Sequence, residues 1–80
     1  MITIRDREDQ QFLNGLGKRI KLLRVSKEWS QERLGFKSNL DRTYIGGIER
    51  GEENPSILNL KKIADALEVP VEKIFTENKE

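Results

Sequence analysis

Eighty residues with 15 Lys and Arg against 14 Asp and Glu, and with no histidine and no cysteine, allow one small domain whose core is only marginally large enough to stand alone. The missing residue types remove disulfides, the common nitrogen and sulfur zinc ligands, the usual general base and the thiol nucleophile, so no enzyme, metal, cofactor or small-molecule ligand is expected. No apolar run approaches the roughly 20 residues of a membrane span, and residues 1–11 are too charged for a secretory leader, so a cytoplasmic protein with no membrane partner is expected.

An all-α chain is predicted. The first helix covers about 8–26, where Phe12, Leu13, Leu16, Ile20 and Leu23 recur at intervals of three and four as one apolar stripe, with the basic residues on the other face. Ser30 is placed to cap a second helix opening at Gln31, in which Glu32 and Arg33 face water and Leu34 faces the core. That helix breaks at Ser38-Asn39-Leu40, since asparagine tolerates a left-handed backbone. Asp41 caps a third helix, Ile45 and Ile48 supply its inner face, and Gly51 stops it. Pro55-Ser56 opens a fourth, with Ile57, Leu60, Ile63, Ala64 and Leu67 inward and Lys61, Lys62 and Asp65 outward. It ends at Val69-Pro70, and Pro70 suits the first position of a short fifth helix carrying Val71, Ile74 and Phe75. The chain thus divides into an arm and start of the first helix (1–11), a helical domain (12–76) and a polar tail expected to fray (77–80).

Two stop-start signals so close together, at 38–41, force a sharp angle between the second and third helices, which is a helix-turn-helix signature. An ordinary helical hairpin is the alternative. Arg42, Thr43 and Tyr44 weigh against it, because they fill the first turn of the third helix, the part that reaches base edges in a major groove, and core packing has no need of them. Charge is also segregated. Between Gly15 and Arg50 nine basic residues stand against four acidic ones, whereas the rest of the chain is net acidic, as expected for one face turned to phosphate.

These features bring a resemblance into view. The stretch SNLDRTYIGGIERGEENPSILNLKKIADALEV, above all DRTYI-x-GIERG followed by NPS, resembles the controller proteins of restriction-modification systems, within the lambda-repressor-like Cro/C1-type (XRE) helix-turn-helix family. The likeness runs over about 16–75. It implies a five-helix DNA-binding domain with helices two and three as the helix-turn-helix. It also implies a bacterial or phage-encoded, nucleoid-associated regulator that binds a palindromic operator as a homodimer, controls its own promoter and touches RNA polymerase.

The resemblance assigns roles by position. Arg42 and Thr43, with Gly46 and Gly47 on the same helix, fall where the family reads bases, and an arginine there can bond guanine O6 and N7 together. Ser30, Gln31, Arg33, Lys37, Asn39, Tyr44, Arg50 and Asn54 fall along the DNA backbone or minor groove. Arg24 and Glu49 match a structural pair tying helix one to helix three. Leu58, Val69, Val71 and Ile74 belong to the last two helices, which form the twofold interface in that family, and a symmetric dimer sets its recognition helices about 34 Å apart.

Departures from the pattern matter as well. Gly46 stands where serine is common, Gly35 where alanine is, and Glu52 and Glu53 where relatives are often basic. Phe36 is either a packed ring, the commoner fate of such aromatics, or a partner contact. Another regulator of the same fold, such as a phage repressor or antitoxin, remains the nearest alternative, and Glu52, Glu53 and Gly46 suggest a third: an interaction module that has lost DNA binding.

Overall fold

The computed structural model describes residues 4–76, which form four α-helices and a short 3-10 turn and no strand among the described residues: α1 Ile4–Ser26, α2 Gln31–Ser38, α3 Arg42–Glu49, α4 Ile57–Leu67 and the turn Val71–Ile74. The short fifth helix expected after Pro70 is present as a single 3-10 turn rather than an α-helix, four residues being too few for a run of i to i−4 bonds. Residues 1–3 of the expected arm and the expected tail at 77–80 lie outside what is described.

Local capping chemistry sets the helix boundaries. The Ser30 hydroxyl accepts from the Arg33 amide at 3.0 Å, the Asp41 carboxylate from the Thr43 amide at 2.8 Å, and the Ser56 hydroxyl from the Asn59 amide at 3.1 Å. Asn39 closes α2 in the left-handed region at φ +60°. Glu68 closes α4 in the same way at φ +62°, so that helix ends before Val69-Pro70. Gly51, at φ +77°, turns the chain after α3, and its bare Cα faces the Asn14 side chain so closely that no Cβ could be accommodated. The Gly51 carbonyl accepts from Gln10 Nε2 at 2.7 Å, which ties the start of α1 to the end of α3.

Leu16, Ile20, Leu34, Ile45, Ile48, Leu60, Ile63, Leu67 and Ile74 form one core, with Leu13, Leu23, Trp29, Leu40 and Tyr44 packed against it. Several expectations need correction. Helix α1 begins at Ile4 rather than near 8, because its first turns are polar and exposed and present no apolar stripe to read. Phe12 is half exposed and stacks on Phe75, with ring centroids 6.2 Å apart. Ile57 is 63 % exposed beside Leu58 at 67 %, since the first turn of α4 projects past the core. Phe36 is not a packed ring: it is 82 % exposed on α2.

Candidate nucleic-acid interface

Helix α3 is anchored from below. Ile45 and Ile48 are fully buried, and Glu49, at the last position of the helix, carries a carboxylate that is 2 % exposed. Arg24 on α1 meets it with a two-pronged contact, Nε to Oε2 at 2.7 Å and Nη2 to Oε1 at 3.0 Å, while its Nη1 donates to the Trp29 carbonyl at 2.7 Å. Gln31 Nε2 completes the set, donating to Glu49 Oε1 at 3.0 Å. The buried carboxylate thereby joins α1, the mouth of α2 and the recognition helix, and no buried side-chain polar atom among the described residues is left without a partner. Gly17 lets the backbones meet: a Cβ there would lie 2.6 Å from the Glu49 carbonyl oxygen.

Above that anchor, α2 and α3 enclose an open cleft of about 420 Å³ lined by Ser30, Gln31, Glu32, Arg42, Thr43, Gly46 and Arg50. Arg42 and Thr43 are exposed at its edge, and the Arg42 guanidinium has no hydrogen bond or ion pair among the described residues. Gly46 and Gly47 are both buried in a formed helix, and of the two only Gly46 lines the cleft, as a floor rather than a reaching group. A Cβ on Gly46 would come within 3.2 Å of Gln31 Oε1 and 3.1 Å of Arg50 Nη1. Gly47 lies beneath the Glu53 side chain.

Of the residues expected along the phosphate backbone, Ser30, Gln31 and Arg50 line this cleft and the others do not, and several are already engaged. Ser30 and Asn39 act as caps, Arg33 and Asn54 are exposed, and Arg50 Nε is paired with Glu52 at 3.0 Å. This contact holds the exposed Glu52 carboxyl below the usual carboxylate range and raises Arg50, the side-chain hydrogen bond being the larger cause and charge attraction the second. Lys37 and Lys27 place their ammonium groups 5.8 and 5.4 Å from the centre of the Trp29 ring, so two cations converge where α1 meets α2. Tyr44 is half-buried, and its hydroxyl oxygen accepts from Asn59 Nδ2 at 3.0 Å. Sequence reasoning missed Asn59, which carries no local signal beyond its place in the first turn of α4.

Of the residues expected at a twofold interface, Leu58 is exposed and Val69 and Val71 are half-buried. Ile74 is a correction. It is fully buried in the core, with its carbonyl accepting from Arg19 Nε at 2.8 Å, and offers no surface to a second chain. No helix among the described residues is long and apolar enough to cross a membrane, and no group of three or more His, Cys, Asp or Glu among them is placed to hold a metal ion.

Comparison with known proteins agrees with this geometry. The helix-turn-helix family model HTH_3 matches residues 20–74. The control protein C.BamHI of Bacillus amyloliquefaciens is 48 % identical over 54 residues, which cover 66 % of this chain and 67 % of that one. A hypothetical transcription factor of Neisseria meningitidis is 44 % identical over 62 residues, 76 % of this chain but only 58 % of that protein's length. The crystal structure of the restriction-modification controller protein C.AhdI from Aeromonas hydrophila superposes with a TM-score of 0.78 at 46 % identity, covering 79 % of this chain and 96 % of that one. The chain belongs to the helix-turn-helix family of DNA-binding transcription regulators and stands within it beside the restriction-modification controller proteins.

Proposed function

We propose that this protein binds a palindromic operator in double-stranded DNA as a homodimer and controls expression of restriction-modification genes, its own promoter included. The observation that carries the reading is the pair of uncommitted side chains that open α3. Arg42 and Thr43 stand free at the edge of the cleft while the rest of the helix is fixed by Ile45, Ile48 and the Arg24–Glu49 pair. A helix held this rigidly can enter a major groove without losing order, and the free guanidinium suits guanine O6 and N7. Gly46 keeps the base-facing side low and Gly47 belongs to the same helix, whereas Ser30, Gln31, Arg33, Lys37, Asn39, Tyr44, Arg50 and Asn54 are assigned as backbone or minor-groove contacts.

The twofold contact is assigned to Leu58, Val69 and Val71, joined by the exposed Ile57. Such a dimer sets its two recognition helices about one helical turn apart, which is why the operator is palindromic. The protein acts in the cytoplasm on the nucleoid, with RNA polymerase as its further partner. The test compares the native protein with Arg42→Ala on the cognate site and on an unrelated duplex. Losing a bidentate base contact costs about 1–3 kcal/mol, roughly 5- to 150-fold, per half-site, and on the cognate site alone. Equal weakening on both duplexes would reduce Arg42 to a phosphate contact.

A further inference from the structure

Tyr44 is the third residue of α3, yet it is absent from the walls of the cleft formed by Ser30, Gln31, Arg42, Thr43 and their neighbours. Its ring packs on the core, and its hydroxyl is turned toward α4, where Asn59 Nδ2 donates to it at 3.0 Å. Asn59 is itself held firmly, because its backbone amide is capped by the Ser56 hydroxyl at 3.1 Å. A phenol oxygen carries one hydrogen and acceptor lone pairs. With an acceptor site filled by Asn59, the O–H hydrogen points away from that amide, and it meets no acceptor among the described residues.

We propose that Asn59 is a positioning residue for DNA binding: by donating to the Tyr44 hydroxyl it orients that O–H as a donor to one phosphate oxygen in each half-site. This deepens the regulator reading and rests on it. Phosphate oxygens accept and cannot donate, so a hydroxyl whose hydrogen meets no acceptor among the described residues is matched to them, and the amide bond it receives polarises its O–H. The hydroxyl lies outside the base-reading cleft, on the α4 side of α3, which suits a contact to the backbone rather than to a base edge. Asn59 touches Tyr44 rather than the DNA, which is why its effect is expected to vanish when the hydroxyl is removed.

The test is a neutral-phosphate scan. The duplex selected by the native protein is made with single methylphosphonates at each phosphate in turn, and binding is measured for native protein, Tyr44→Phe, Asn59→Ala and the double variant. Expected is one phosphate per half-site whose neutralisation weakens native binding but leaves Tyr44→Phe unchanged, with Asn59→Ala showing most of the same loss of sensitivity. Both single variants should bind about 2- to 10-fold more weakly per half-site on every sequence, the range of one net hydrogen bond, and the double variant no more weakly than Tyr44→Phe.

If Asn59→Ala keeps the full native phosphate map and affinity while melting at a lower temperature, the contact is structural only and the inference is overturned. Should Asn59→Ala fail to fold, Tyr44→Phe, which keeps the ring, decides: an unchanged phosphate map overturns the inference, and a lost position supports it. A native protein that selects no duplex would instead overturn the regulator reading, and this inference with it.

Discussion

Removing Arg24 tests the anchor beneath the recognition helix. In Arg24→Ala the Glu49 carboxylate, 2 % exposed, loses two of its three donors and keeps only Gln31, while the Trp29 carbonyl loses its Nη1 contact. Breaking a buried pair from one side costs about 3–5 kcal/mol, because the surviving charge stays desolvated. Small domains have about 5–15 kcal/mol in total, and one of this size moves its Tm by about 4–8 °C per kcal/mol, so a fall of about 12 °C or more is expected. Urea and thermal unfolding followed by circular dichroism, at fixed protomer concentration, would measure it. Lys61→Ala is the internal comparison: Lys61 and Asp65 pair at 2.9 Å with side chains 65 % and 63 % exposed, and exposed i, i+4 pairs are worth only about 0.3–0.5 kcal/mol. The double replacement Arg24→Met with Glu49→Leu removes both charges and should recover most of the loss. An Arg24→Ala shift no larger than that of Lys61→Ala would refute the reasoning.

Four further outcomes are expected. Gly17→Ala would press a methyl group onto the Glu49 carbonyl oxygen, 2.6 Å from the ideal Cβ position, so α1 and α3 must separate; a loss of about 1–3 kcal/mol is expected in denaturant titration, and unchanged stability would show that the backbones do not meet there. Gly46→Ala gains helix propensity worth up to about 1 kcal/mol, and the atoms it would approach are the flexible ends of Gln31 and Arg50, so the protein should become more stable rather than less; a lower urea midpoint would contradict this. Glu52→Gln releases Arg50 for phosphate, so affinity for every duplex should rise in a titration by fluorescence anisotropy, and an unchanged affinity would mean that Arg50 stays clear of DNA. Acid acts on the same pair: the folded-state pKa of Glu52 is lowered, so its contribution to stability is present above the unfolded carboxylate pKa and is lost as pH falls through the lowered value.

Much of this structure was legible in the sequence where the physics is local. Ser30, Asp41 and Ser56 act on amides two or three residues ahead, so their positions announce the helix starts, and Asn39 announces the turn by its tolerance of φ +60°. Periodicity shows which way a residue faces but not whether a neighbour covers it. Phe12 and Ile57 fit their apolar stripes and still emerge into solvent, whereas Ile74, expected at the surface contact, turns fully inward. The polar opening of α1 has no stripe and so was placed too short. Contacts between residues far apart in the chain were the least visible. The Arg24–Glu49 pair was reached only through the family resemblance, and the Tyr44–Asn59 bond was not reached at all.

The most direct test of the central claim is selection of the native protein on a random duplex library, followed by titration of the enriched site at two salt concentrations. A palindrome bound by two protomers, with affinity falling steeply as salt rises, is the predicted result. No enriched sequence, together with salt-independent binding or none, would contradict the account.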